Sequence, residues 1–220
     1  MSPGFAELYD THIAASLDKQ LFLNDLVGGL PWTLDMAQGT LRFADDMVWK
    51  IQVLGTQSEI SSSWLWGWAN EASNIPANLL ESASAMRQFG NARHIVELVT
   101  PHFPVDQQIA GHDIAVVSNG VCGTRAYYRG PYEGGAVFLL INDPDFPPNI
   151  VDPAERMVHT FTKVVSDYPC NHRRALKAYA DYYGVDVNEE GSRIRIASSG
   201  KELFIADFDE HGWVTNLQHD

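Results

Sequence analysis

Ser61-Ser62-Ser63-Trp64-Leu65-Trp66-Gly67-Trp68-Ala69-Asn70 is the stretch whose reading decides how this chain folds. It carries three of the chain's six tryptophans. Side chains along a strand alternate faces with a period of two. Read as a strand, the stretch puts Trp64, Trp66 and Trp68 on one face and Ser63, Leu65, Gly67 and Ala69 on the other. A face of three indoles is either a stacking platform for a sugar, base or peptide, or the inner wall of a core. Soluble domains rarely expose so large an apolar patch, and Gly67 lets a second element approach closely. The expectation is a core wall with one ring edging a pocket.

The segments around it read as a meander. Trp32-Thr33-Leu34-Asp35 and Thr40-Leu41-Arg42-Phe43 flank a turn at Gln38-Gly39. Asp45-Asp46 marks a second turn, and a third strand runs over 49–55. Short turns between sequential strands predict antiparallel pairing. Before the meander, Ser2-Pro3 predicts a capped helix ending near Asn24. After it, the spacing predicts a helix over 76–89 stopped by Gly90 and another over 104–121. A hairpin follows, with arms 125–129 and 136–141. Its second arm is apolar at every position and so predicts a strand covered on both faces.

The proline-rich stretch 142–151 is a stiff connection. Beyond it, Asp152-Pro153 and Asn171 start two helices, ending at Pro169 and Gly184. Strands over 185–187, 193–197, 203–208 and 213–217 close the chain, with turns at Glu190-Gly191, Ser199-Gly200 and His211-Gly212. The expected fold class is α+β. An antiparallel β-meander sheet packs against helices over residues 1–150, and a smaller C-terminal lobe of helices plus strands spans 151–220, unless the two make one continuous domain.

Composition narrows the function. There are 28 acidic residues against 15 basic ones, a net charge of −13. Binding to nucleic acid or to an anionic membrane relies on basic side chains, so both are disfavoured, while a basic protein partner suits the charge. No apolar stretch approaches the ~20 residues of a membrane helix, and the first residues lack the pattern of a signal peptide. Cys122 and Cys170 are too few and too far apart for a disulfide framework. These features predict a cytoplasmic protein with two free, buried thiols. The oligomeric state is not readable.

No His-x-x-x-His, Gly-x-Ser-x-Gly or phosphate-loop pattern occurs, so no catalytic residue, metal site or cofactor is expected. His112, in an apolar helix, reads as a satisfied core imidazole. Tyr127, Tyr128, Arg129 and Tyr132 flank a Gly-Pro turn and form a candidate aromatic and cationic rim. Asp143, in Asn142-Asp143-Pro144-Asp145 at a strand end, is either a turn residue or a functional carboxylate. The candidate pocket residues are therefore Trp64, Trp66, Trp68, Tyr128, Arg129 and Asp143.

The run Trp64-Leu65-Trp66-Gly67-Trp68-Ala69-Asn70 gains weight from its companions in order. They are Gly39-Thr40-Leu41-Arg42-Phe43, Gln52-Val53-Leu54-Gly55, Tyr127-Tyr128-Arg129-Gly130-Pro131 and Val137-Phe138-Leu139-Leu140-Ile141. Asn171-His172-Arg173-Arg174-Ala175-Leu176 and Phe208-Asp209-Glu210-His211-Gly212 complete the set. Together they resemble a bacterial family catalogued as a domain of unknown function and marked by Trp-x-Trp-Gly-Trp-Ala-Asn. The resemblance covers most of the chain. It implies a small α+β domain and carries no activity, catalytic residue or cofactor with it. Two functions follow from the residues themselves. One is a non-enzymatic binding or regulatory protein, immunity-like, whose acidic surface meets a basic partner. The other is a small-molecule enzyme such as a hydrolase, with an aromatic-lined pocket.

Overall fold

The computed structural model describes residues 1–198 and 201–219; the expected turn at Ser199-Gly200 lies outside the described residues. The chain divides into two compact units. The first comprises residues 1–5 and 19–148, the second residues 6–18 and 149–220.

The first unit is built on a seven-stranded antiparallel sheet. Its strands are β1 (Trp32–Asp35), β2 (Thr40–Phe43), β3 (Met47–Ser58), β4 (Ser63–Trp66), β5 (His102–Pro104), β6 (Ala126–Tyr132) and β7 (Gly135–Ile141). They follow one another as β1-β2-β3-β4-β5, and β7 joins β3 to β6. The long strand β3 is the spine. Its start pairs with β2, and Gly55 to Ser58 lie between β4 and β7. A register shift between Val53 and Gly55 inserts Leu54 as a bulge. The meander expected from the turns is present, and β7 is buried at six of its seven positions.

The helices of this unit depart from the spacing in three places. The helix expected over 76–89 begins as a 3-10 turn at Ala77–Leu79 and continues as α2 (Glu81–Arg93). Gly90 does not stop it; His94 does, in the left-handed conformation. Gly90 serves packing, since a Cβ there would lie 2.5 Å from the Cβ of Leu98 on α3 (Val96–Val99). The helix expected over 104–121 starts late, as α4 (Gly111–Val121). Asp106 takes the intervening residues out of the helix, its Oδ1 accepting the backbone N–H groups of Gln108 and Ile109. The amino-terminal helix α1 (Pro3–Val27) runs one turn beyond Asn24, whose carbonyl accepts the Gly28 N–H at 2.7 Å.

Both faces of the sheet are covered. One carries Ile51, Val53, Leu139 and Ile141, packed with Leu23 and Val27 of α1 and with Phe146. On the other, α2 and α4 lie against β3 and the β6–β7 hairpin.

The second unit contains residues 6–18 of α1, α5 (Pro153–Asp167), α6 (His172–Tyr183) and a four-stranded sheet. Its strands β8 (Asp186–Glu190), β9 (Arg193–Ser198), β10 (Lys201–Phe208) and β11 (Val214–His219) form a simple antiparallel meander. Asp152 caps α5 and Asn171 caps α6, each accepting a backbone N–H, and Gly184 ends α6 at φ 64°. Phe161 of α5 stacks on Phe204 of β10, with ring centroids 5.8 Å apart.

Buried polar groups tie α1 into this second unit. The Asp18 carboxylate accepts from Nε and Nη2 of Arg156, at 3.1 and 2.7 Å, and from the Tyr183 hydroxyl. Burial, then the bond to Asp18, push Tyr183 well above the usual phenol range. Among the described residues no helix is long and apolar enough to cross a membrane.

Candidate functional site

The tryptophan run is not one strand. β4 ends at Trp66, and Gly67–Ala69 turn as a 3-10 segment capped by Asn70. Period two therefore holds for Trp64 and Trp66, which are both fully buried, and fails for Trp68, which is half-buried. The turn brings the backbone close to its neighbours at Gly67, where a Cβ would meet Leu80 at 2.9 Å and the Val53 carbonyl at 3.1 Å. The three rings still touch. Trp64 meets Trp66 edge-on at 5.5 Å, and Trp66 stacks near-parallel on Trp68 at 6.4 Å. Trp66 Nε1 donates to the Glu97 carbonyl at 3.0 Å, while Trp64 Nε1 and Trp68 Nε1 find no acceptor among the described residues. The Arg87 guanidinium lies 4.3 Å over Trp68. A Cβ on Gly55 would strike the Trp64 ring at 2.5 Å, so glycine at the bulge makes room for this indole.

The other candidates go elsewhere, and strand parity separates them. Arg129 lies opposite Phe138, which lies opposite Gly55, itself opposite Trp66; these four share a face, with Arg129 and Trp66 at the ends of the row. Tyr128 points to the opposite face, into an aromatic cluster with Phe43 at 4.9 Å and Trp32 at 5.5 Å. Asp143 is buried beyond the end of β7. Its carboxylate accepts the backbone N–H groups of Lys50 at 2.6 Å and Asp145 at 2.8 Å, pinning the loop to β3. The six side chains do not line one cavity. The expected Gly-Pro turn is part of β6, which turns only at Glu133-Gly134, and strand alternation splits Tyr127 and Arg129 from Tyr128.

Polar groups converge instead where α4 meets the end of the sheet. His112 is the second residue of α4 and stays exposed, contrary to the expected core imidazole, because the helix starts seven residues later than its apolar spacing suggested. Its Nδ1 lies 3.2 Å from the Tyr127 hydroxyl, and its ring meets Phe138 edge-on. Desolvation by these rings, then the Arg129 charge, lower its pKa from the ordinary imidazole value. Burial raises Asp113, whose carboxylate accepts the Ala110 N–H at 2.8 Å. Gln57 caps the helix through the Gly111 N–H at 2.7 Å, and a Cβ on Gly111 would collide with Phe138 at 2.5 Å. Arg129 itself is taken up by Glu59 at 2.6 Å. No signal in the sequence joins Gln57 and Glu59 to His112 and Arg129; only the pairing of β3 with β7 and of β7 with β6 does.

The described residues hold no group of three His, Cys, Asp or Glu placed to bind a metal. In the second unit, Val158, Phe161, Phe204 and Leu217 line a shallow surface recess with no polar side chain in its walls. Cys170 is buried, and burial, then the Asp10 charge, push its thiol up to about 12.

A family model described as a family of unknown function, DUF6882, matches residues 6–144. No curated protein matches the chain. No solved structure matches it either.

Proposed function

This chain belongs to DUF6882, and we propose that it is a non-enzymatic binding or regulatory protein, immunity-like in kind, whose acidic surface meets a basic protein partner. One observation carries the reading: the side chains that would furnish a pocket are spent on the fold. Trp64 and Trp66 are walled in, Asp143 holds two backbone N–H groups, and Arg129 is paired with Glu59.

The charge supports the same reading. Arg129, Arg156, Arg173, Arg174, Lys177, Arg193 and Arg195 each have a carboxylate partner. Acidic residues outnumber basic ones 28 to 15, and Glu71, Glu81 and Glu133 are among the carboxylates that face solvent. Such a surface steers a basic partner and repels acidic ones. The enzyme alternative needs the six aromatic and charged candidates around one cavity, and β6 turns Tyr128 and Arg129 to opposite faces.

The test is affinity capture from a bacterial lysate at low ionic strength. The expected result is a retained protein of basic isoelectric point that elutes as salt shortens the screening length to a few ångström, about 3 Å at 1 M. A lysate that yields no salt-sensitive partner sinks the proposal.

A further inference from the structure

Two hairpins of the first unit end side by side, and their tips carry the most exposed apolar group of its sheet. The β3–β4 tip presents Ile60, 88% exposed, and the β6–β7 tip presents Tyr132, 50% exposed. Each side chain lies over one of two consecutive glycines. A Cβ on Gly134 would meet Ile60 Cδ1 at 2.9 Å, and one on Gly135 would meet the Tyr132 hydroxyl at 3.0 Å. Gly134 sits at φ 82°, where glycine is strain-free.

The tips are cross-tied. The Glu59 N–H donates to the Gly134 carbonyl at 2.9 Å, and Arg129 reaches across to Glu59. On the other flank the Val105 N–H donates to the Ser62 carbonyl at 2.8 Å, bringing the exposed Asp106 alongside. An isoleucine this exposed contributes nothing to the core, and the frame beneath it holds it out. A rigid apolar anchor beside a tyrosine is the composition of an interface centre.

We propose that this paired tip, Ile60 and Tyr132 rimmed by Glu59, Glu133 and Asp106, is the docking surface for a basic segment of a partner protein that carries an apolar anchor. The inference rests on the reading of the protein as an acidic binding module and says where on it the partner sits. Charge selects the occupant. The rim holds three carboxylates and one guanidinium, and that guanidinium is already paired with Glu59. A second copy docked tip to tip would set these carboxylates against their own kind, and an anionic membrane would be repelled in the same way. An arginine-bearing segment gains on both counts, pairing with Glu133 and Asp106 and stacking its guanidinium on Tyr132.

The experiment titrates the full chain, isotope-labelled for NMR, with a short synthetic peptide alternating arginine and leucine. A control peptide replaces arginine with glutamate. The expected result is shifts of the backbone amides of residues 59–62, 106–108 and 132–135, seen only with the arginine peptide. Binding should weaken roughly tenfold in Ile60→Ser and again in Glu133→Lys, both at exposed positions where the fold is not at stake. Salt-sensitive shifts confined to another part of the surface overturn the tip while leaving the acidic-module reading standing. No binding of the arginine peptide anywhere, together with no basic protein retained from lysate, overturns both. A dimer in sedimentation that Ile60→Ser dissolves overturns the proposal in favour of a second copy.

Discussion

In β7 the residues Ala136 to Ile141 are apolar without a break; in β9 Arg193-Ile194-Arg195-Ile196 alternates. Both strands lie inside antiparallel sheets, with a neighbour on either side. The first is buried from both faces. The second buries Ile194 and Ile196 on one face and leaves its arginines half-exposed on the other. There Arg193 pairs with Asp207 across the strands, at 2.7 and 2.9 Å, and Asn216 joins the row at 3.1 Å. The lesson is that sheet topology says little about what holds a sheet. In one unit side-chain volume decides, because nothing can leave without opening a cavity. In the other, half of every strand answers to water, and its ion pairs are screened.

Substitutions should break this contrast in a definite order. Trp66→Ala removes a fully buried indole and strands the Glu97 carbonyl, so it should cost about 3–5 kcal/mol in urea unfolding. A fold unmoved by this change would refute the core role of the run. Asp18→Ala should cost the second unit a similar ~3–5 kcal/mol, because it leaves the largely buried Arg156 without its partner. Each unit carries one thiol, Cys122 in the first and Cys170 in the second. Alkylation at mildly alkaline pH can therefore separate the two losses. Trp66→Ala should speed labelling of Cys122, and Asp18→Ala that of Cys170, which stays protonated while folded. Equal acceleration of both thiols by either variant would show that the units open together.

Gly111→Ala is a smaller perturbation, about 1–3 kcal/mol, since the added methyl must displace the Phe138 ring. Arg193→Ala should lower the urea midpoint only slightly at neutral pH, because the exposed pair is screened, and its difference from the wild-type chain should close in acid. The bonds from Arg193, then from Asn216, hold the Asp207 carboxyl at about 2. A depressed carboxyl pKa contributes stability above the unfolded value near 4 and loses it as pH falls through 2. The wild-type chain should thus weaken between roughly pH 4 and 2, and Arg193→Ala should flatten that slope. A variant with an unchanged acid profile would show that the pair is idle.

Much of the fold was legible because its causes are local. Ser2-Pro3, Asp152-Pro153, Asn171 and Gly184 bound their helices where the cap chemistry says, and the turns of the meander fall where Gly39 and Asp45-Asp46 put them. What failed had competing local signals. Gly90 looked like a helix stop but is a packing glycine, and Asp106 drew its neighbours into a turn inside an apolar run of helical spacing. The candidate site was the least legible part. Tyr127, Tyr128, Arg129 and Tyr132 are one cluster on paper, and the pleat deals them to two faces.

By itself, then, the sequence determined most of the elements, the antiparallel pairing of consecutive strands and the acidic balance, since caps, turns, periodicity and charge act over a few residues. Only the tertiary structure decided where the tryptophan run ends as a strand, that Asp143 is a staple, and that Ile60 lies over Gly134 beside the Tyr132 tip. Those outcomes depend on contacts outside the local sequence, Gly67 with Leu80 and Val53, Asp143 with Lys50 and Gly134 with Ile60, and such contacts follow from how the strands pair, which leaves no local trace.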